Sequence, residues 1–450
     1  MIAAGPRIGS LWEDLAPPAP DCPRLEGARK AGLCIVGAGF LGLSTALHAA
    51  RLGMDVVLLE AEEPGFGASG RNTGFVVPSL KSAIGPAEAR ALLGEIHAAR
   101  LLRMVAGSGD TVFGLIRDEG MQVAGAQSGW LQPGHSAAAE AVLKARLPAL
   151  REAGVDASFL SRAEMVARTG LPALHGGLRV ASGGQINPLA YARGLARAVQ
   201  AAGGTIHARS RATALTRIQG GWRVDTAEGT VEAREVLLTT NALVGALCPD
   251  MRDSIIPVRV FQVATQPLPA DLRANLLPDG APVADTRRHT FALRWSEDDR
   301  LVTGGMVTPL PGRMARAERS FLHRIRRFAP DLPEIRAEKV WTGVIAATLD
   351  ALPRMIRVAP GLMGAIGCNG RGVAMTSALG RETAGLLAGR IAEDAFVLPV
   401  TPPRRVPMAR LSGIGPHLWL PWSTLRDEIE ARRDGPLPRR PQAQHQGEEP

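Results

Sequence analysis

The sequence contains little lysine and little cysteine, and it has no long apolar run that is free of glycine and polar residues. Lysine occurs only at positions 30, 81, 144 and 339, so the net charge of +9 comes almost entirely from arginine spread along the chain. A nucleic-acid surface would concentrate its positive charge. The densest basic run, Arg313 to Arg327, carries apolar residues at helical spacing and indicates an amphipathic helix with a solvated basic face. We therefore expect no nucleic-acid partner.

The four cysteines show neither close pairing nor the spacing of a zinc site, and no metal centre is expected. Cys34 and Cys248 lie in apolar segments, which indicates reduced core residues. The N-terminus lacks the basic and apolar regions of a signal peptide. The segment from Ala31 to Ala50 is long enough to span a membrane, but glycine, serine, threonine and histidine interrupt it. We expect a cytoplasmic protein without a transmembrane segment.

The chain is longer than one hydrophobic core usually supports, so two domains are expected. Glycine-rich turns from strand to helix occur near both ends, at Gly37 and Gly370, with strand patterns between them. This order favours a nucleotide-binding domain built from separate segments, with a second domain inserted. The predicted ranges are an N-terminal extension 1–30, a nucleotide-binding domain 31–105, 163–255 and 335–395, a substrate domain 106–162 and 256–334, a C-terminal segment 396–432 and a disordered tail 433–450.

The clearest local pattern is a dinucleotide-binding unit near the N-terminus. An apolar run, Leu33 to Val36, precedes G-x-G-x-x-G at residues 37–42, and an alanine-rich helix follows from Leu43 to Arg51. A second apolar strand ends at Glu60, eighteen residues after the last glycine (60 − 42), close to the roughly 20 of the fingerprint. Strand, glycines, helix, strand and acid in this register predict a dinucleotide site.

Each position of this unit has a physical task. Gly37 permits the tight turn, Gly39 lets the backbone approach a pyrophosphate, and Gly42 lets the helix pack closely on the sheet. The helix N-terminus offers unpaired N–H groups to the phosphates, and Glu60 accepts hydrogen bonds from ribose hydroxyls. The glycine-rich loop 65–74 is expected to bring further N–H groups against one ligand, the alternative being a flexible surface turn.

Seven stretches of the sequence, taken together, match a known family. They are SLWEDLAP (10–17), GAGFLGLSTALHAARLG (37–53), GFGASGRNTG (65–74), LLTTNA (237–242), DRLVTGGM (299–306), WTGVIAATLDALPRM (341–355) and GAIGCNGRGVAMTSALG (364–380). They resemble FAD-dependent oxidoreductases of the D-amino-acid-oxidase type, and among these the gamma-glutamylputrescine oxidase-like branch. The resemblance implies an α/β fold (α+β overall), with a Rossmann-like FAD-binding domain of glutathione-reductase type and an inserted substrate domain of antiparallel or mixed sheet.

The same resemblance implies FAD rather than NAD, and it assigns cofactor-binding residues one by one. The glycine motif serves the pyrophosphate, Glu60 serves the adenosine ribose, and Arg371 starts a helix whose dipole faces the flavin O2 edge, where reduction leaves negative charge. The full expected set is Gly37, Gly39, Phe40, Leu41, Gly42, Glu60, Ala61, Gly67, Ala68, Ser69, Arg71, Asn72, Thr73, Gly74, Ala212, Asn241, Gly367, Gly370, Arg371, Gly372 and Val373.

The implied reaction is hydride transfer from the carbon that bears an amine to flavin N5, after which the imine is hydrolysed and oxygen is reduced to hydrogen peroxide. No protein side chain is assigned as catalytic, because the cofactor carries the hard chemistry. The expected substrate is a small primary or secondary amine, with an acidic group if a strand arginine such as Arg294 faces it rather than the surface. The candidate pocket residues are Phe75, Trp130, Arg294, Trp341 and Ile345.

Three departures from related enzymes narrow this expectation. Residues 344–346 lack the arginine that binds an α-carboxylate in amino-acid oxidases, which disfavours a simple α-amino acid. No cysteine lies between Trp341 and Pro353, so FAD is expected to be non-covalent. No lysine falls within 290–310, and Ala374 stands at another lysine position of the relatives. A dehydrogenase that passes electrons to a quinone or carrier protein is therefore the main alternative. A pyridine-nucleotide dehydrogenase and a non-enzymatic nucleotide- or nucleic-acid-binding module are the others.

Overall fold

Short apolar runs and alanine-rich segments alternate along the chain, and in the computed structural model they form the strands and helices of a mixed α/β protein, as predicted. The structure describes residues 9–81, 84–307, 310–407 and 415–432. The helices are α1 Leu11–Leu15, α2 Phe40–Arg51, α3 Pro86–Ala106, α4 Ser108–Asp118, α5 Ala137–Glu152, α6 Arg162–Thr169, α7 Pro188–Ala201, α8 Pro249–Arg252, α9 Arg313–Phe328, α10 Gly372–Leu387 and α11 Gly415–Arg432. The strands are β1 Gly27–Val36, β2 Val56–Leu59, β3 Phe75–Val76, β4 Gly125–Ala126, β5 Trp130–Pro133, β6 Ala157–Leu160, β7 Gly177–Val180, β8 Gly184–Ile186, β9 Thr205–His207, β10 Ala214–Ile218, β11 Gly221–Asp225, β12 Gly229–Leu238, β13 Ile256–Thr265, β14 Val283–Ala284, β15 Ala292–Trp295, β16 Leu301–Gly305, β17 Ala337–Ala347, β18 Arg354–Ala359, β19 Leu362–Ile366 and β20 Val400–Thr401.

The first sheet has nine strands in the order β20-β18-β19-β12-β1-β2-β9, with the hairpin β10–β11 joined to β12. Strands β9, β2, β1, β12 and β19 run parallel to one another. Strand β2 and the second half of β1 are buried, because helices cover the sheet, and this explains their continuous apolar sequence. Helices α2, α7 and α10 supply much of the surrounding core.

The second sheet has eight strands in the order β17-β13-β16-β15-β14-β5-β7-β6. Strands β13 and β17 pair antiparallel over almost their full length, from Ile256 opposite Ala347 to Thr265 opposite Ala337. Helix α9 packs on this sheet through an apolar stripe that includes Phe321, which confirms the amphipathic helix expected from the arginine-rich run. A small three-stranded sheet, β3-β8-β4, completes the strand pairing of the described residues.

Two of the predicted nucleotide-binding ranges include a strand of the second sheet, and β4 of the predicted substrate range pairs with β8 of the predicted nucleotide-binding range. The range 163–255 includes β7, and the range 335–395 includes β17, yet both strands belong to the second sheet. Strand β7 pairs with β5 and β6, and β17 pairs with β13. The chain therefore crosses between the sheets more often than predicted. The C-terminal segment adds β20 to the first sheet, and the tail 433–450 lies outside the described residues.

Ion pairs hold the C-terminal helix α11 against the second sheet and α9. The Arg288 guanidinium lies 2.9 Å from an Asp427 carboxylate oxygen and 3.0 Å from one of Glu430. Arg327 of α9 lies 3.0 Å from Glu428. Neither α11 nor any other helix among the described residues has the length and apolarity that crossing a membrane requires.

Helices α2 and α10 pack side by side, and small residues allow their close approach. The Ser44 hydroxyl donates to the carbonyl of Ser377 at 2.7 Å. A Cβ added at Gly380 would lie 2.5 Å from both Cβ and Oγ of Ser44. The two helices that follow β1 and β19 are thereby fixed relative to each other.

We predict that Gly380→Val lowers the free energy of unfolding by about 1–3 kcal/mol, because the added atoms overlap α2 in a close-packed core. Chemical denaturation of the purified holoprotein measures this. The control is Arg381→Ala at the neighbouring, solvent-exposed position, which should change the free energy by less than about 0.5 kcal/mol. Equal stability of the Gly380→Val variant and the native protein would contradict the packing described.

Candidate active site

The carboxyl ends of the parallel strands meet at one edge of the first sheet, where ligands of open α/β folds bind. Gly37 follows β1, Glu60 follows β2, Gly367 follows β19, and Asn241 comes three residues after β12. The parallel pairing brings these four positions to the same edge although they are far apart in sequence. All four belong to the set predicted to bind FAD.

Helix α2 begins at this edge in the geometry that the glycine motif predicts. Gly37 adopts φ = +108°, a conformation that favours glycine. A Cβ at Gly42 would lie 2.0 Å from the Gly37 carbonyl oxygen, so only glycine lets α2 pack this closely. The N-cap residue is Gly39, which has no capping side chain, and Ser69 Oγ accepts from Phe40 N–H at 3.0 Å. The first turn of α2 thus directs N–H groups at a ligand, as a pyrophosphate requires.

The Glu60 carboxylate is held at the end of β2 by backbone N–H groups. Its two oxygens accept from Ala38 N–H at 2.7 Å and from Glu62 N–H at 3.0 Å. Burial raises the pKa of Glu60, and these hydrogen bonds oppose the rise. The Glu60 carbonyl accepts from Ser210 N–H at 2.8 Å, which places Ala212, another member of the predicted FAD-binding set, on the segment beside Glu60.

The glycine-rich loop 65–74 is internally bonded, which argues against a flexible surface turn. The Asn72 side-chain amide donates to the carbonyls of Ala68 and Ser69 at 3.0 and 2.7 Å. Its oxygen accepts from Gly74 N–H at 2.7 Å. These bonds fix the backbone between Ala68 and Gly74 at the sheet edge, where the flavin is predicted to lie.

Two tryptophans from distant segments hold the same loop from outside. Trp12 Nε1 donates to the Asn72 carbonyl at 2.8 Å, and Trp341 Nε1 donates to the Arg71 carbonyl at 2.9 Å. Their rings meet edge to face with centroids 6.1 Å apart, and both are fully buried. Trp341 therefore braces loop 65–74, called the flavin loop below because FAD is predicted to bind there. Its full burial contradicts the prediction that it lines the substrate pocket. Trp12 is the anchor of the N-terminal segment.

Arg294 also binds this loop rather than a substrate. Its Nη1 donates to the carbonyls of Ile186, Thr73 and Gly74 at 2.6, 3.0 and 3.4 Å, and its Nε donates to the Trp295 carbonyl at 2.9 Å. Only 2% of the residue is exposed. The prediction that Arg294 faces the substrate is wrong in this geometry, because a strand arginine points to either face of its sheet and the sequence does not reveal which.

A second helix N-terminus lies at the same edge of the sheet. Helix α10 has Arg371 as its N-cap, with no hydrogen bond from that side chain to the helix. The side chain of Ile345 reaches the turn before α10, since its Cδ1 would lie 3.4 Å from a Cβ at Gly370. Asn241 Nδ2 lies 3.8 Å from Cys368 Sγ. The structure thus brings Ile345 and Asn241 to the start of α10, as the predicted flavin site requires.

Trp130 and Phe75 lie together beside this helix start. Both are buried in one apolar cluster, and the Arg371 guanidinium stacks over the Trp130 ring at 4.9 Å from its centroid. Trp130 Nε1 has no hydrogen-bond partner among the described residues. Burial lowers the pKa of Arg371 to about 10. The Arg371 cation is thus held against a buried indole ring next to the start of α10.

The sequence did not single out Lys81, which the structure places in this region. Burial is the main cause that lowers the pKa of Lys81, and the charge of Arg371 lowers it further, whereas Cys368 acts in the opposite direction. The side chain is nevertheless open to water. The ammonium group therefore lies close to Arg371 and Cys368, although the residue as a whole is exposed. No carboxylate among the described residues contributes to the shift.

One edge of the first sheet carries two helix N-termini, the Glu60 carboxylate and a hydrogen-bonded glycine-rich loop. This fold and this site are those of a flavin-type oxidoreductase. The sequence model of the family described as FAD dependent oxidoreductase (DAO) matches residues 33–386. The chain belongs to this DAO family of FAD-dependent oxidoreductases. The resemblance given by its motifs is confirmed, and so is FAD as its cofactor.

The chain is similar to curated proteins over most of its length. It is 30% identical to "Probable oxidoreductase OrdL" of Rhizobium meliloti (strain 1021), over 93% of this chain and 97% of that protein. It is 31% identical to "Gamma-glutamylputrescine oxidoreductase" of Escherichia coli (strain K12), over 81% of this chain and 85% of that protein.

Solved structures share the fold. The glycine oxidase of Geobacillus kaustophilus superposes with a TM-score of 0.69 at 21% identity, over 84% of this chain and all (100%) of that chain. The L-proline dehydrogenase of P. horikoshii superposes with a TM-score of 0.68 at 18% identity, over 83% of this chain and 96% of that chain. At these identities the likeness establishes the architecture alone.

The residues present fit FAD. The uncapped first turn of α2 suits the pyrophosphate, Glu60 suits the ribose, and the loop around Asn72 with the start of α10 suits the isoalloxazine. The ring of Phe40 is buried against Tyr191 with centroids 5.4 Å apart, and its N–H donates to Ser69 Oγ, so its contact with FAD stays a prediction. The roles of the other residues in the predicted set stay predictions.

We predict that Gly42→Ala weakens FAD binding by roughly tenfold or more, equivalent to about 1.4 kcal/mol. The added Cβ forces the start of α2 away from the Gly37 carbonyl and misplaces the N–H groups of its first turn. Titration of the deflavinated protein with FAD, followed by flavin fluorescence, measures this. The matched control is Gly114→Ala in α4, where the nearest atom to a new Cβ is 3.9 Å away. Unchanged affinity in Gly42→Ala would contradict the assigned pyrophosphate site.

Proposed function

We propose that this protein catalyses the FAD-dependent oxidation of a small primary or secondary amine to an imine, which water then hydrolyses. The observation that carries the proposal is the convergence of Glu60, loop 65–74 and the starts of α2 and α10 at one edge of the first sheet. The similarity to the E. coli gamma-glutamylputrescine oxidoreductase supports an amine as the oxidised group.

Bound FAD supplies the acceptor for a hydride from the carbon that bears the amine. The chain's own residues bind and orient the reactants. The braced loop would position the cofactor, and the first turn of α10 offers a positive dipole end where negative charge develops. No described side chain needs to act as a covalent nucleophile in this scheme.

We expect an amine substrate to bleach the bound FAD anaerobically. The purified yellow protein is mixed with sarcosine, D-amino acids, putrescine derivatives and aminophosphonates, and the visible flavin absorption is followed. Bleaching by at least one of these amines at a saturable rate is the expected result, and no bleaching by any of them would count against amine oxidation. Admitting air then distinguishes the acceptors: rapid reoxidation with stoichiometric hydrogen peroxide identifies an oxidase, whereas a flavin that stays reduced in air but is reoxidised rapidly by an added quinone identifies a dehydrogenase.

We further propose that the substrate carries an anionic group, which Lys81 and Arg371 bind. The charge of Arg371 acts on Lys81, and no carboxylate among the described residues contributes to the pKa shift of Lys81. An anion between them would relieve this repulsion. The arginine expected after the WTG strand is absent, so these two residues are the cations that the structure offers instead.

For this subsite we predict that Lys81→Met raises the KM of a carboxylated amine roughly tenfold or more, about 1.4 kcal/mol, and leaves kcat nearly unchanged. The KM of an uncharged analogue of the same amine should hardly change. Lys144→Met is the control, since Lys144 stacks on Phe159 in another part of the molecule, 5.5 Å from its ring centroid. Equal effects of Lys81→Met on the charged and uncharged amines would remove the anion subsite from the proposal.

A further inference from the structure

Arg294 carries a charge that the chain itself does not neutralise. Its guanidinium is buried, and its hydrogen-bond acceptors are four neutral carbonyl groups. Among the described residues, no carboxylate forms a salt bridge with it. Glu297 acts on it from a distance, and that carboxylate accepts from Asn187 Nδ2 at 2.8 Å. Buried charges are usually paired, because removing an ion from water is unfavourable.

An aromatic ring and the dipoles of the four carbonyl groups stabilise the Arg294 charge. The Arg294 guanidinium carbon lies 5.0 Å from the centroid of the Trp12 ring, within the range of a cation–π contact. Burial lowers the pKa of Arg294 to about 10, and the group remains a cation at neutral pH. Because the carbonyls and the ring leave the full positive charge in place, its field acts on whatever occupies the neighbouring site.

The neighbouring site is the flavin loop. Two of the four acceptors are the carbonyls of Thr73 and Gly74, which are predicted to line the flavin. A Cβ at Gly74 would lie 2.3 Å from Arg294 Nη1, so glycine is needed for the guanidinium to approach this backbone. Arg294 is therefore separated from the expected cofactor by a single stretch of backbone.

We propose that Arg294 is a positioning residue that holds Thr73 and Gly74 against the flavin and supplies the fixed positive charge that stabilises the reduced cofactor. The proposal rests on the proposed function for the place of the flavin. When an amine gives up a hydride, two electrons and one proton pass to the flavin, which gains one negative charge, and the substrate becomes a cationic iminium. The missing partner of Arg294 is then the cofactor itself.

The test compares the holoproteins of the native chain, Arg294→Met and Arg294→Lys by two-electron midpoint potential and by sulfite titration, since sulfite addition also leaves negative charge on the flavin. We expect Arg294→Met to raise the sulfite dissociation constant tenfold or more and to lower the potential by about 30 mV or more, the two-electron equivalent of tenfold. Arg294→Lys should have a midpoint potential close to that of the native protein, because it keeps the charge. It should release FAD faster, because it loses the fork of hydrogen bonds.

The matched control is Arg273→Met. Arg273 stacks over Trp295 at 5.1 Å, much as Arg294 stacks over Trp12, but it is bonded to the carboxylate of Asp299. Its removal should leave the potential and the sulfite affinity unchanged. If Arg294→Met behaves like Arg273→Met in both measurements, the electrostatic role is refuted. If neither Arg294 variant releases FAD faster than the native protein, the positioning role is refuted.

A measurement on the native protein keeps the proposal testable if Arg294→Met does not fold. A flavin that is reduced to an anion takes up one proton with two electrons, so its potential should fall by about 30 mV for each tenfold drop in proton activity between pH 7 and 9. Twice that slope would overturn the proposal. Potential and sulfite affinity require no amine. A flavoprotein that no amine reduces would therefore refute the proposed function, whereas an unaltered potential in Arg294→Met would refute this inference alone.

Discussion

The parallel pairing of β1, β2, β12 and β19 is the constraint on which the rest of this structure depends. Parallel strands place all their carboxyl ends at one edge of a sheet, so residues from four distant parts of the chain meet there without any local signal. The pairing also requires crossover connections, and α2 and the second domain provide them. The two helix N-termini that face the cofactor site follow from the same arrangement, since α2 and α10 each begin where one of these strands ends.

The second constraint is the bracing of the flavin loop. A glycine-rich loop has high conformational entropy and does not stay in one conformation unaided. Here the N–H groups of two indoles and one guanidinium, from α1, β17 and β15, bind four successive carbonyls from Arg71 to Gly74. The short N-terminal helix is thereby part of the cofactor site, although it lies outside the nucleotide-binding sheet. Because the second sheet supplies Trp341 and Arg294, the conformation of the loop depends on that sheet.

The sequence predicted those parts of the site whose physical demands are local. The spacing of Gly37, Gly42 and Glu60 is fixed by one turn, one helix and one strand, and the structure has all three in the expected geometry. Trp341 and Arg294 were assigned to the substrate pocket and lie in the brace instead. Strand residues alternate between two faces, and the sequence does not state which face meets the cofactor.

Lys81 is a residue whose place near the candidate site the sequence did not reveal. It stands alone in a loop with no periodicity or motif around it, so only the fold reveals that its ammonium lies near the start of α10. The cofactor half of the site is encoded in contiguous motifs, because it must recognise one invariant molecule with backbone groups. The substrate half that we propose is assembled from single side chains on separate segments: Lys81 after β3, Trp130 on β5 and Arg371 before α10. The hydrogen bonds of the glycine motif and the braced loop described above involve neither the Lys81 nor the Trp130 side chain. Substrate preference can therefore diverge within such a fold while its FAD motifs stay recognisable.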